Sequence, residues 1–111
     1  MRCLLKVSIP VVEGNAAASD GSLGTTISSI LAEMKPEAAY FAEDNGMRTG
    51  FIFFDLENVS KIPSVAEPWF LSFNAKVEIR PAMNLEDLKN AGPGIESAVK
   101  KYSRAARAAK A

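Results

Sequence analysis

The chain contains no histidine and a single cysteine, Cys3, among its 111 residues. Without histidine there is no imidazole general acid or base, no His-ligated metal or haem, and no ordinary switch between about pH 5 and 8. One thiol permits neither an intrachain disulfide nor a multi-cysteine metal site, and it suits a reducing, cytoplasmic setting. Cys3 sits in an apolar run with no histidine to activate it, so it reads as a buried core thiol rather than a nucleophile. No apolar run approaches the roughly 20 residues of a membrane-spanning helix. The opening loosely imitates a signal peptide, but Lys6, Pro10 and Glu13 interrupt it, and it reads as a strand. Net charge is also missing: 13 Lys+Arg balance 13 Asp+Glu, which argues against a uniformly phosphate-seeking surface. The length fits one small domain.

What is present is patterning. Residues 3–9 alternate, with Cys3, Leu5, Val7 and Ile9 on one side and Leu4, Lys6 and Ser8 on the other, which predicts a strand with one clean apolar face. A helical region follows from about Glu13 to Met34. Leu23, Ile27, Ile30, Leu31 and Met34 give its second half helical spacing, while Asp20, Gly21, Ser22 and Gly24 weaken the first half and predict a kink or a late start. Ala38–Glu43 reads as a second strand, Asp44-Asn45-Gly46 as a hairpin turn, and Arg48–Leu56 as a strongly apolar third strand. Val59–Phe73 carries helical spacing, with Pro63 in its first turn and Pro68 expected to kink or split it. Ala75–Pro81 alternates as a fourth strand. Asn84 then caps a short helix, Leu85–Asn90, which Gly92-Pro93-Gly94 is expected to break before a final helix or tail.

The order β-α-β-β-α-β is the ferredoxin-like split βαβ pattern. An α+β fold follows, an antiparallel sheet in the order 4-1-3-2 with both main helices on one face. The expected organisation is a ferredoxin-like domain over 1–92 and a basic C-terminal helix or tail over 93–111. The third strand is apolar on both faces, and Ile52, Phe54 and Leu56, with Leu4 and Tyr40, are assigned to the face without helices. An uncovered patch of that kind implies association, most simply a homodimer with the sheets packed face to face; the alternative cover is the chain's own C-terminal helix.

The stretches PEAAYFAEDNGMRTGFIFFD (36–55) and AEPWFLSFNAKVEIRPAM (66–83), with the opening KVSIP (6–10), resemble a family of small uncharacterised bacterial proteins. That family looks like part of the dimeric α/β-barrel superfamily, and the resemblance covers about residues 2–90, leaving out the basic tail. The superfamily includes cofactorless quinone-forming monooxygenases, muconolactone-isomerase-like enzymes, stress-responsive barrel proteins and haem-handling enzymes. The resemblance implies a barrel of two ferredoxin-like protomers and a ligand cleft between sheet and helices. It carries over no catalytic residue, and the absence of histidine excludes the His-ligated haem branch.

Six residues stand out as ligand contacts: Lys6, Tyr40, Trp69, Phe70, Glu78 and Arg80. Lys6 and Arg80 suit an anion and Glu78 a base or ion-pair role; the same residues also fit a cross-strand charge ladder. The Tyr40 hydroxyl suits an aromatic substrate, or a backbone partner. Trp69 and Phe70, with Phe73, suit the wall of an apolar pocket, or plain core packing. Glu43, Asp44, Asp55 and Glu57 lack the spacing of a calcium loop. DGSLGTT (20–26) lacks the Gly-Lys-Ser/Thr ending of a phosphate loop, and there is no G-x-S-x-G elbow. No metal and no cofactor are therefore expected, and whether the protein is an enzyme stays open.

The zero net charge hides an asymmetry. Residues 100–111 hold five basic and no acidic side chains, so residues 1–99 keep 8 basic against 13 acidic, a net of −5. From Ile95 onward, Ile95, Ala98, Val99, Tyr102, Ala105, Ala106 and Ala109 give a helix with a narrow, small-residue apolar stripe. It suits a helix docking on an acidic surface, or an arm for nucleic acid or anionic membrane; nucleic acid and membrane are the less expected partners, since the stripe has little bulk for insertion. The residues point to a small protein that binds a small apolar or aromatic ligand between sheet and helices, with cofactor-independent monooxygenase or isomerase chemistry open to it. The alternative is a non-catalytic, dimeric stress-associated or interaction protein, with weak nucleic-acid binding through the tail behind it.

Overall fold

In the computed structural model, which describes residues 1–110, the elements run β1 (Arg2–Ile9), α1 (Val11–Asp20), α2 (Ser22–Met34), β2 (Ala38–Asp44), β3 (Met47–Asp55), a 3-10 turn (Val59–Lys61), α3 (Ile62–Phe73), β4 (Lys76–Pro81), α4 (Leu85–Asn90), α5 (Gly92–Tyr102) and α6 (Arg104–Lys110). The four strands form one sheet in the order β2-β3-β1-β4, with every neighbouring pair antiparallel. The arrangement is α+β and broadly ferredoxin-like, with β1 and β3 central as the alternation implied.

The expected long first helix is two helices. Gly21 sits between them at φ 80°, in the left-handed region, and its N–H closes α1 on the carbonyls of Ala17 and Ala18. Glycine reaches that conformation without the steric penalty of a Cβ, so the chain stops one helix and starts the next within a single residue. Asp20 Oδ1 accepts the Ser22 N–H at 2.9 Å, and hydrogen bonding to Ser22 holds the Asp20 carboxyl below its usual range. Pro68, expected to kink or split the second helix, lies inside an uninterrupted α3. Its cost is local: the carbonyl of Ser64, four residues back, loses its helical donor. Asn45 and Gly46, at φ 53° and 77°, make the tight β2–β3 turn, as Asn-Gly pairs do.

Cross-strand partners share a face, so the register fixes what each face carries. Leu5 pairs with Ile52 and Ile79, Cys3 with Phe54, and Val7 with Gly50 and Val77. These residues face the helices and form the core with Leu56, Trp69 and Phe73. Ile52, Phe54 and Leu56 are thus buried beneath the helices, not on the open face where the sequence reading put them. The open face carries Leu4, Phe51, Phe53 and Tyr40 instead. The reversal has a simple cause: both faces of β3 are apolar, and alternation alone does not say which one meets β1's buried side.

After β4 the chain leaves the body. The principal extents are 66 × 29 × 23 Å and the radius of gyration is 19.3 Å, against about 13 Å for a compact domain of this length. α4, α5 and α6 pack chiefly on one another. Asn84 and Asp87 form a reciprocal capping box at the start of α4: Asn84 Oδ1 accepts the Asp87 N–H at 2.8 Å and Asp87 Oδ2 accepts the Asn84 N–H at 3.0 Å. Gly92-Pro93-Gly94 does not break the run. Pro93 lies in the first turn of α5, and only Ala91, itself right-handed helical, separates α5 from α4. Asn84→Ala should destabilise α4 by about 1 kcal/mol; faster amide exchange at Glu86 and Asp87, with the melting temperature of the body unchanged, is the expected reading.

Candidate functional site

A cleft of about 530 Å³ lies between sheet and helices at the hairpin end of the sheet. Its position follows from how the chain covers the sheet. Val7, Ile9 and Gly50 form the floor, Phe41 and the β2–β3 hairpin one wall, Val11 and Asn15 of α1 the other, and Trp69 of α3 the inner end. Gly50 is what lets Phe41 lie there: a Cβ at residue 50 would sit 3.0 Å from Phe41 Cε1, so the ring folds against bare backbone. Gly14 plays the matching part in α1, where a Cβ would fall 2.7 Å from Arg48 Nη1.

Arg48 and Asn15 bring N–H donors to this largely apolar cleft, and Glu43 brings a carboxylate. Arg48 Nη1 donates to Asn15 Oδ1 at 3.1 Å, and among the described residues no carboxylate lies within ion-pair distance of Arg48. A guanidinium has five N–H donors, so most of its capacity is free. Glu43, opposite Arg48 in the strand register, has an oxygen committed to the Gly46 N–H at 3.0 Å. Trp69 is 1% exposed, and its indole Nε1 is buried with no acceptor among the described residues. Such an orphan costs about 1–3 kcal/mol. Glu13 Oε2, on α1, is a second buried polar atom without a partner among the described residues.

The six residues singled out from sequence fall into three places. Lys6, Tyr40, Glu78 and Arg80 share the open face, where Lys6 pairs with Glu78 and Leu4 with Arg80 in the β1–β4 register and Tyr40 lies opposite Phe51. Trp69 alone lines the cleft. Phe70, the next residue on α3, turns to the other side, into a shallow groove against Val77 and Ile79 of β4. The expected joint wall of Trp69 and Phe70 is therefore not formed.

The open-face charges satisfy one another. Lys6 Nζ meets Asp44 Oδ2 at 2.5 Å and Glu78 Oε2 at 3.9 Å, and Glu78 Oε2 also meets Arg80 Nη2 at 3.7 Å. The hydrogen bond to Asp44 holds the Lys6 ammonium above its ordinary lysine range. Arg2 and Glu37 make a two-pronged pair, Nε to Oε2 at 2.7 Å and Nη2 to Oε1 at 3.2 Å, which holds the Glu37 carboxyl below its usual range. This is the ladder arrangement rather than a set of groups left free for a ligand.

Arg48, Asn15 and Phe41 drew no attention in the sequence. A glycine inside a strongly apolar strand was the available signal, because it marks a close approach of another group. Among the described residues no His/Cys/Asp/Glu group could hold a metal ion, and no helix is long and apolar enough to cross a membrane. The sequence matches no protein-family model and no curated protein.

Proposed function

We propose that the protein binds a small ligand in the cleft between the β2–β3 hairpin and helices α1 and α3, and that the ligand has an apolar or aromatic body and a carboxylate or similar oxygen-acceptor group. The observation that carries this reading is the Arg48 guanidinium, which donates to Asn15 and is in no ion pair among the described residues, beside a largely apolar space of about 530 Å³. That volume suits a small molecule. Guanidinium and carboxylate form short, charge-assisted hydrogen bonds, and Phe41 offers a flat apolar surface beside them. The reading is one of binding rather than turnover: a guanidinium, an amide and an indole N–H hold an anion but do not carry a proton at neutral pH. The resemblance to dimeric α/β-barrel proteins supports a cleft in this position, and monooxygenase or isomerase chemistry would need a proton-transferring group supplied by the ligand or by Glu43, the carboxylate in the lining.

The test is calorimetry and thermal shift with benzoate, salicylate and indole-3-acetate, each beside its neutral amide. At least one acid should raise the melting temperature, its amide should bind at least tenfold more weakly, and Arg48→Ala should remove that preference. Equal binding of acid and amide, or no shift with any of the acids, rejects the proposal.

The second property proposed is self-association through the open sheet face. Leu4, Phe51 and Phe53 are only half-covered there and Tyr40 is 67% exposed, a contiguous apolar area framed by the Lys6–Asp44 and Glu78–Arg80 pairs. Interfaces of stable pairs have this layout, an apolar centre inside a polar rim. The ligand reading does not depend on it.

A further inference from the structure

The C-terminal helices are built for a contact that the chain does not make with itself. α5 carries Ile95, Val99 and Tyr102 along one face, exposed by 54%, 54% and 74%. Lys100, Lys101, Arg104 and Arg107 accompany that stripe. An apolar stripe on a projecting helix has nothing to bury against unless something else supplies the surface.

A complementary surface exists on the body. A groove of about 310 Å³ lies between the end of α2, the end of β3 and the start of α3. Its apolar lining includes Ile30, Met34, Leu56, Val65 and Pro68, and its acidic residues are Glu33, Asp55 and Glu57, against a single cation, Lys61. Asp55 already holds the N-terminal ammonium at 2.7 Å. Glu33 and Glu57 are in no ion pair among the described residues. The hairpin cleft and the groove between α3 and β4 lack this combination. The hairpin cleft sets Arg48 against Glu43, and the α3–β4 groove has Glu67 as its one charged residue.

We infer that the C-terminal arm of one copy docks in the acidic groove of a second copy, its Ile95–Val99–Tyr102 stripe on the apolar lining and its lysines and arginines at Glu33 and Glu57. The second copy, rather than the same chain, follows from stiffness and position. α4 begins just past β4, and the helical run from Leu85 to Tyr102 is interrupted only at Ala91. That run spans ~27 Å and leads away from the body, so reaching its own groove would require unwinding it. The arm's root and the groove lie at the same end of the sheet. The Ala82 N–H donates to the Arg2 carbonyl at 3.0 Å and the Leu56 N–H to the Met1 carbonyl at 2.8 Å. Two copies meeting at that end can therefore exchange arms, each reaching the other's groove. Neither the ligand cleft nor the open sheet face takes part.

Charge reversal tests the contact. One variant is Lys100→Glu with Lys101→Glu and Arg104→Glu; the other is Glu33→Lys with Glu57→Lys. All five positions are exposed, so circular dichroism and melting temperature should match the wild type and folding is not at issue. By sedimentation, the wild type should self-associate at micromolar concentration, more weakly as salt rises. Each variant alone should associate at least tenfold more weakly. Mixing the two should restore association, because the acidic arm of one then meets the basic groove of the other, and the basic arm of the second meets the untouched groove of the first. A wild type that stays monomeric at 100 µM overturns the inference, as does association that neither reversal changes, the result for pairing through the sheet face alone. So does failure of the mixture to associate, the result for an arm folded on its own body. If the arm reversal leaves association intact but abolishes salt-sensitive binding of a 30-nucleotide single-stranded RNA, the arm serves nucleic acid and the inference is likewise overturned.

Discussion

Trp69→Ala should lower the stability of the folded domain by about 3–5 kcal/mol, the range for deleting a large buried aromatic. Trp69 is the largest of the fully buried side chains. It packs on Phe73, with ring centroids 6.3 Å apart, and no neighbour can collapse far enough to fill its volume. For a domain of this size each kcal/mol corresponds to a shift of roughly 4–8 °C, so a fall on the order of 15 °C or more is expected in the melting temperature. Trp69→Phe separates volume from polarity. It keeps much of the ring and removes the buried N–H that lacks an acceptor, so it should cost less than half as much as the alanine. If the alanine variant melted within a few degrees of wild type, the core described above would be wrong.

With the arm contact removed by Lys100→Glu, Lys101→Glu and Arg104→Glu, Phe53→Lys should weaken the remaining association through the sheet face by at least a hundredfold, about 2.7 kcal/mol, and leave the melting temperature of the isolated chain almost unchanged. Phe54→Ala, one residue along, should do the reverse, costing about 3–5 kcal/mol in stability with no specific effect on association. The contrast arises because successive strand residues point to opposite faces. Phe53 stands opposite Leu4 and Ala38 on the open side, whereas Phe54 stands opposite Cys3 in the core. Sedimentation equilibrium and thermal melting on the two variants read both quantities. If Phe53→Lys unfolded the chain while Phe54→Ala dissociated it, the faces of β3 would be the reverse of those described.

That pair of residues also shows how far the sequence could be read. The order of elements was legible because β1 and β4 alternate cleanly and Asn45-Gly46 is a strong turn. The facing of β3 was not. Phe51 and Phe53 on one side and Ile52 and Phe54 on the other are equally apolar, and only the pairing of Leu5 with Ile52 decides between them. Pro68 suggests a kink or a split and Gly92-Pro93-Gly94 a break, yet α3 is not split at Pro68 and the chain resumes as α5 after the single helical Ala91. Of the cleft, only Trp69 was visible in advance. Arg48 looks like any surface cation at the start of a strand. Its significance depends on Gly14 and Asn15, which are distant in sequence and meet it only through the crossing of α1 over the sheet.

The two margins of the sheet are unequal. β4 alternates Lys76, Glu78 and Arg80 and ends at Pro81, a combination that offers a poor template for another strand. β2 begins AAYFA and is mostly exposed, with charge only at its far end in Glu43 and Asp44. Misassembly by strand addition would therefore start along β2, and the ring of Phe41, folded inward over Gly50, leaves the outer backbone of that strand open. A lysine or proline placed along β2 would blunt that edge without touching the core.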